Sequence, residues 1–289
     1  MPSTRDIRRR IKSVKNTAQI TKAMQMVAAS KMRKAQLAVQ AGQPYAHLMN
    51  TMLVSLRGRV DSEAHPLLQT RTGGKELVIL LSTDKGLCGG LNTNLLREVL
   101  HLDAEKTLFV ASGRKGVQFL ARMKRQMLAD FSLPDAPSFL QSKALSKYCM
   151  EQFAEEKVDS VSVLYPRFVS TLLQTPTKVQ ILPIPHAEIG GVDAQLTQDE
   201  QNANLEYIFE PDEQNVLDAL LPYYVHFQIF QMVLNARASE QSSRMVAMKN
   251  ATDNAKTMVG DLSLMYNKIR QASITSELLE ITTAQMALE

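Results

Sequence analysis

Long hydrophobic runs are missing from this chain. No stretch of about 18 apolar residues occurs, so no membrane-spanning helix is predicted from its 289 residues. The start lacks the continuous apolar core of a secretory signal and shows no cleavage-site pattern. Its arginines suggest an organelle transit peptide, but a helical period runs through them, and a mature N-terminus is the expectation. Cysteine is scarce, with Cys88 and Cys149 alone. That argues against a disulfide framework or a zinc site and fits a reduced, cytosolic chain. The histidines, His47, His65, His101, His186 and His226, have no metal-ligand spacing. Residues 223–289 hold no proline and one glycine, Gly260, while residues 1–40 hold no aromatic side chain and one acid, Asp6.

The near-absence of helix breakers at the C-terminal end predicts one helix of ~67 residues, about 100 Å at 1.5 Å per residue. Such a helix needs a partner along its length. Alternating steps of four and three from Leu234 give Ala238, Gln241, Met245, Met248, Thr252, Ala255, Val259, Leu262, Tyr266 and Ile269. That is the 3.5-residue period of a left-handed coiled coil, interrupted by polar Gln241 and Thr252. Small members let helices approach closely but bury little area. Beyond Ile269 the stripe shifts to Ile274, Leu278, Ile281 and Leu288, so the tip is expected to leave its partner helix.

The N-terminal end carries a stripe of the same period. Ser3 is the expected N-cap of a helix, with Asp6 three residues on. Ile7, Ile11, Val14, Ala18, Thr21, Gln25, Ala28, Met32, Ala35 and Val39 follow, widened by Ile20, Met24 and Val27. The pattern reaches about Arg57, with a kink or break expected at Gly42 and Pro44. Two seams of one period predict an antiparallel pair. The first helix is basic, with ten Lys or Arg in residues 1–40 against Asp6, whereas residues 240–289 hold five bases and six acids. The bland reading of this charge is a solvated helix face; sharper ones are an acidic protein partner, nucleic acid or anionic lipid. Missing aromatics argue against nucleic acid.

Between the helices the composition, 45% hydrophobic and 21% charged, is that of a folded soluble protein. A continuous apolar run at Leu77–Leu81 reads as a strand covered on both faces, Thr107–Ala111 as a second buried strand and Ser160–Tyr165 as another strand. Helices are expected near 93–100, 115–124 and 141–156, a further strand at Thr177–Leu182, a loop at 183–204 and a short strand at Tyr207–Phe209. The closing helix is expected to begin near Asp212 or to restart near Tyr223, because of Pro222. The fold class is therefore a Rossmann-like α/β central domain plus a long antiparallel α-helical coiled coil. The division is an N-terminal coiled-coil helix (1–58), a linker (59–74), an α/β domain (75–211) and a C-terminal coiled-coil helix (212–289).

Catalytic motifs are incomplete. The turn from Ser82 to Asn92 lies where α/β proteins bind phosphate, but it has neither G-x-x-x-x-G-K-[ST] nor G-x-G-x-x-G spacing. Its glycines fit a tight turn. Cys88 has no histidine near it in sequence and reads as a packed thiol. No active site, cofactor or metal is assigned.

Ile20–Met32, the turn Thr83–Asn92, Ala238–Lys249 and Tyr266–Leu278 together resemble the γ subunit of F-type ATP synthases, across nearly the whole chain. At the tip, where the family signature continues with Gly-Ala, this chain has Ala284-Gln285. The chloroplast redox insert is not apparent and there is no transit segment, so the chain resembles a bacterial form. The resemblance implies a non-catalytic rotor shaft, coupling rotation of a membrane c-ring to ATP synthesis or hydrolysis at the β subunits and regulating ATPase activity and proton flow. It implies as partners the α and β subunits of the catalytic hexamer, the ε subunit and the c-ring, at the cytoplasmic face of the bacterial membrane. Met24 and Arg244 match the lower β-subunit contact. Arg270, Gln271, Thr275 and Glu277 match the upper one, and Tyr207 and Glu210 the region near the c-ring. Each also fits as a seam or surface residue. Two other classes remain from the residues alone: a basic coiled-coil nucleic-acid-binding protein, and a small nucleotide-binding α/β enzyme using the Thr83–Asn92 turn.

Overall fold

The structure, a computed structural model, describes residues 3–57, 65–71, 73–184 and 212–286. In chain order the elements are α1 (Thr4–Arg57), β1 (Glu76–Leu81), α2 (Leu91–Leu100), β2 (Thr107–Ser112), α3 (Arg114–Arg122), β3 (Met127–Phe131), α4 (Phe139–Ala154), β4 (Ser160–Phe168), β5 (Gln174–Leu182) and α5 (Glu213–Met286). The chain divides into two compact units. One joins residues 1–29 to 244–289, and the other spans Ser30–Ser243.

The larger unit is built on a five-stranded sheet of order β3-β2-β1-β4-β5. Strands β1 to β4 are parallel and β5 returns antiparallel beside β4. The central strand is apolar because both of its faces are covered. Leu77, Ile79 and Leu81 of β1 face one core, shared with Leu145, Cys149 and Phe153 of α4. Val78 and Leu80 face the other, with Leu95 and Val99 of α2 and Leu120 of α3. Alternate residues of one strand thus feed two cores, as a period of two requires.

The first core also takes in Met49 and Leu53 of α1 and Leu217, Leu221, Val225, Ile229 and Val233 of α5. The later part of α1 and the opening part of α5 are therefore a layer of the α/β unit. Both helices run through their prolines, Pro44 and Pro222. The break expected at Gly42 and Pro44 does not occur, and α5 does not restart at Tyr223. Packing holds both sites together. Tyr45 packs edge-on against Tyr223 and at a tilt against Phe227, with ring centroids 5.9 and 5.0 Å apart. Gly42 leaves room for Gln231, which a Cβ there would strike.

Strand β3 has no counterpart in the sequence reading. It is a short edge strand with Met127, Leu128 and Asp130 exposed, so it carries neither a buried run nor a clean alternation. The expected strand Tyr207–Phe209 lies outside the described residues.

Candidate partner-binding surface and a keyed helix

In a parallel α/β sheet, ligands bind at the carboxyl ends of the strands. Here that edge is taken by α5. Asn235 Oδ1 accepts a hydrogen bond from the Phe168 amide at the end of β4 (2.7 Å). Arg237 Nη2 donates to the Leu133 carbonyl just beyond β3 (2.7 Å). The same guanidinium pairs with Glu240 at 2.9 Å and lies 3.9 Å from Asp84, beyond β1. Ser242 Oγ donates to the Thr171 carbonyl in the β4–β5 turn (2.8 Å), and Ser243 Oγ to the Cys88 carbonyl in the β1–α2 turn (2.7 Å). Ser242 is fully buried, and Arg237 and Glu240 nearly so. Burying such groups is unfavourable unless they are hydrogen-bonded.

The glycine-containing turn is closed by its own side chains. Asn92 Nδ2 donates to Thr83 Oγ1 (2.7 Å), and Thr83 Oγ1 lies within bonding distance of the Lys85 carbonyl. The first turn of α3, where a phosphate would find free amides, is already capped. The Arg114 amide donates to Asp84 Oδ1 (3.1 Å) and the Gly116 amide to Ser82 Oγ (2.8 Å). Gly113 adopts φ +102°, and a Cβ there would strike the Ser82 carbonyl, so the position calls for glycine. The cavity lined by Ser82, Thr83, Ser112, Arg237 and Glu240 has a volume of about 10 Å³, at most one water. A nucleotide does not fit there. Both thiols are buried. Burial pushes the Cys149 thiol up to about 12, which removes it as a nucleophile.

The second unit is a helix pair. Ser3 caps α1 as expected: Asp6 donates its amide to Ser3 Oγ, and Asp6 Oδ2 accepts from the Ser3 amide and hydroxyl. These bonds hold the Asp6 carboxyl below its ordinary range. Across the pair, Thr21 and Thr252 share a hydrogen bond of 2.7 Å. Arg8 donates to Tyr266 Oη (2.7 Å) and stacks over the ring, its Cζ 5.5 Å from the centroid. Contacts that climb one helix while descending the other define an antiparallel pair. The register that sets Thr21 against Thr252 sets Ile11 against Leu262, Val14 against Val259, Ala18 against Ala255 and Gln25 against Met248. Every seam position from Met245 to Ile269 is buried or half-buried, and every residue from Arg270 to Thr283 is exposed.

The residues singled out from the sequence fall in three environments. Met24 is half-buried beside the seam, between exposed Ile20 and Val27, while Arg244 is buried. Arg270, Gln271, Thr275 and Glu277 lie exposed on the unaccompanied stretch. Two of them are tied along the helix: Thr275 Oγ1 donates to the Gln271 carbonyl and Ser273 Oγ to Glu277 Oε1. Tyr207 and Glu210 lie outside the described residues. Of the basic residues on α1, Lys31 is used inside the larger unit, 2.6 Å from Asp135, whose carboxyl it holds below the usual range. Sequence reasoning missed Asn235, Arg237, Ser242 and Ser243. Their signal was a cluster of polar side chains inside a helix otherwise read as an apolar seam.

A helix pair with a filled seam, together with an α/β unit whose ligand edge is filled by its own helix, defines a class of protein. That class is an α/β protein with a coiled-coil helix pair, its sheet edge occupied by its own C-terminal helix. The comparisons specify it further. A family model described as ATP synthase matches residues 3–288. The chain is 49% identical to an ATP synthase gamma chain of Opitutus terrae, with 99% of each chain covered, and 46% identical to that of Methylacidiphilum infernorum over the whole of both. Among solved structures it resembles a chain of the Tetrahymena thermophila mitochondrial ATP synthase central stalk and c-ring. That likeness has a TM-score of 0.61 at 25% identity and covers 80% of this chain and 99% of that one. In fold it also resembles a chain of the Euglena gracilis mitochondrial ATP synthase, with TM-score 0.68, 20% identity and coverage of 99% and 94%. The chain belongs to the gamma-chain family of the ATP synthases. It is accordingly a non-catalytic central rotor shaft and a peripheral part of a membrane-bound complex, the catalytic sites lying in the β subunits.

Proposed function

We propose that the helix pair formed by residues 4–29 and 244–286 turns inside a hexamer of α and β subunits, and that the α/β unit sits on the ε subunit and the c-ring. The complex lies at the cytoplasmic face of a bacterial membrane, and proton flow through the c-ring supplies the torque. Among the described residues no helix is long and apolar enough to cross a membrane, so attachment runs through partner subunits.

One observation carries the proposal. The seam is filled as far as Ile269, and beyond it α5 continues to Met286 with Ile274, Leu278, Leu279 and Ile281 between 45% and 63% exposed. A stripe of apolar side chains on an unaccompanied helix calls for cover from another chain. Arg270, Gln271, Thr275 and Glu277 stand on that stretch and are assigned to the upper contact with a β subunit. Met24 and Arg244 are assigned to the lower one, where the basic face of α1 meets acidic β-subunit loops. Tyr207 and Glu210 are assigned to the contact with the c-ring and ε.

Met24→Lys tests the reading. It sets a charge against the hexamer at a half-buried position. Inverted vesicles carrying the variant complex should hydrolyse ATP while pumping few protons. Full proton pumping by that variant would refute the lower contact.

A further inference from the structure

We propose that the polar stretch Asn235–Ser243 of α5 is the torsional coupling of the shaft, the place where twist of the α/β unit passes into the long helix. The inference rests on the rotor reading above and names the residues that carry the torque within this chain.

The argument begins with the kind of bond. Apolar packing is non-directional, so for the same area of contact it fixes the angle of a helix about its own axis less sharply than directional bonds do. Hydrogen bonds are directional and weaken steeply off angle. The structure places five side-chain links in this one stretch. Asn235 holds the Phe168 amide, Arg237 the Leu133 carbonyl and the Asp84 carboxylate, Ser242 the Thr171 carbonyl, and Ser243 the Cys88 carbonyl. The links reach loops that follow three different strands, β1, β3 and β4. Restraints to separate loops, all from neighbouring turns of one helix, oppose rotation in either sense.

Burial supports the same conclusion. The stretch is polar where the neighbouring turns of α5, Leu217 to Val233, bury apolar side chains in the core. An apolar surface would suffice for adhesion. Buried polar groups are retained here at a desolvation cost and, once satisfied, fix one orientation. The ligand edge of the sheet, where the backbone of several loops converges, is thus used as a keyway.

The test is made in the assembled rotary complex. Lys106→Cys, exposed at the start of β2, offers an attachment point for a rod, and Cys88 and Cys149 are buried. Thermal angular spread of the rod during pauses then reports the stiffness between the α/β unit and the hexamer. Asn235→Ala with Ser242→Ala and Ser243→Ala removes three of the five links. Hydrolysis and rotation should persist while the angular variance rises roughly twofold, as expected for parallel restraints cut by more than half. Unchanged variance in the assembled triple variant overturns the inference. Should the triple variant not assemble, Ser243→Ala alone gives the same decision: a wider spread supports the inference and an unchanged one overturns it. Absence of rotation in the otherwise unsubstituted complex would instead overturn the rotor reading, and this inference with it.

Discussion

Arg237→Met removes the cation at the centre of the keyed stretch and keeps much of its apolar volume. The Arg237 and Glu240 side chains are 7% and 5% exposed, with nitrogen and oxygen 2.9 Å apart. Removing one partner of a buried pair costs about 3–5 kcal/mol, because the desolvation penalty of the remaining charge is no longer offset by that ion pair. The Leu133 carbonyl loses a charged donor in the same step. Asp84 adds little, since it is 3.9 Å away and partly exposed. A central figure of ~4 kcal/mol lowers the melting temperature of a unit of this size by roughly 8–16 °C.

The double variant Arg237→Met, Glu240→Met separates this account from simple loss of packing. Replacing both charges by apolar groups of similar volume is often neutral or stabilising. The double variant should therefore lose about 2 kcal/mol or less, no more than about half the loss of Arg237→Met alone and far less than the sum of the two single losses. Urea unfolding of the purified full chain, followed by circular dichroism, measures each corner of the cycle. If the single variant costs less than about 1 kcal/mol, or if the two single losses simply add, the pair does not lock the helix and the reasoning fails.

Two further predictions concern the turn and the acid limb. Gly113→Ala would press a Cβ onto the Ser82 carbonyl at φ +102° and should cost about 3 kcal/mol, whereas Gly260→Ala, in open space, should gain up to about 1 kcal/mol by helix propensity; equal melting temperatures for the two would contradict the turn geometry. Burial lowers the affinity of His226 and His65 for a proton below their ordinary value of 6.5. The unfolded chain therefore takes up those protons first. Their contribution to stability is complete above about 6.5 and is lost as the pH falls from there through the folded values. His226→Gln should reduce the slope of unfolding free energy between pH 7 and 5.5 by up to about one proton. An unchanged slope would show that His226 is not the group being charged.

The two helices were legible from spacing alone, because a 3.5-residue period repeated over ten positions survives polar exceptions. Thr21 and Thr252 show why: each is a polar member of its stripe, and the two hydroxyls meet. The buried strands β1, β2 and β4 were legible for the same physical reason, since a strand covered on both faces has no polar face to show. Strand β3 was not, because an edge strand need not be apolar. The prolines misled in the other direction. Local propensity argues for a break at Pro44 and Pro222, but aromatic packing of Tyr45 against Tyr223 and Phe227 holds the two helices together beside both sites.

The keyed stretch could not be recovered from periodicity. A heptad stripe records which residues face inward and is silent about what they face. Gln241 lies in the seam and reads as an imperfection there. Asn235, Arg237, Ser242 and Ser243 lie off the seam, and the spacing assigns them no role. In the structure they face loops at the carboxyl edge of the sheet, so side chains without a place in the spacing are among the most constrained on the helix. The Ser82–Asn92 turn follows the same logic from the opposite side. Its position matches a phosphate site, while Asp84 and Ser82 cap α3, and Cys88 offers its carbonyl to α5. Turn and helix complete each other. Among the described residues the loops at that edge are held by the polar side chains of α5, so the carboxyl ends of the strands serve the chain's own helix.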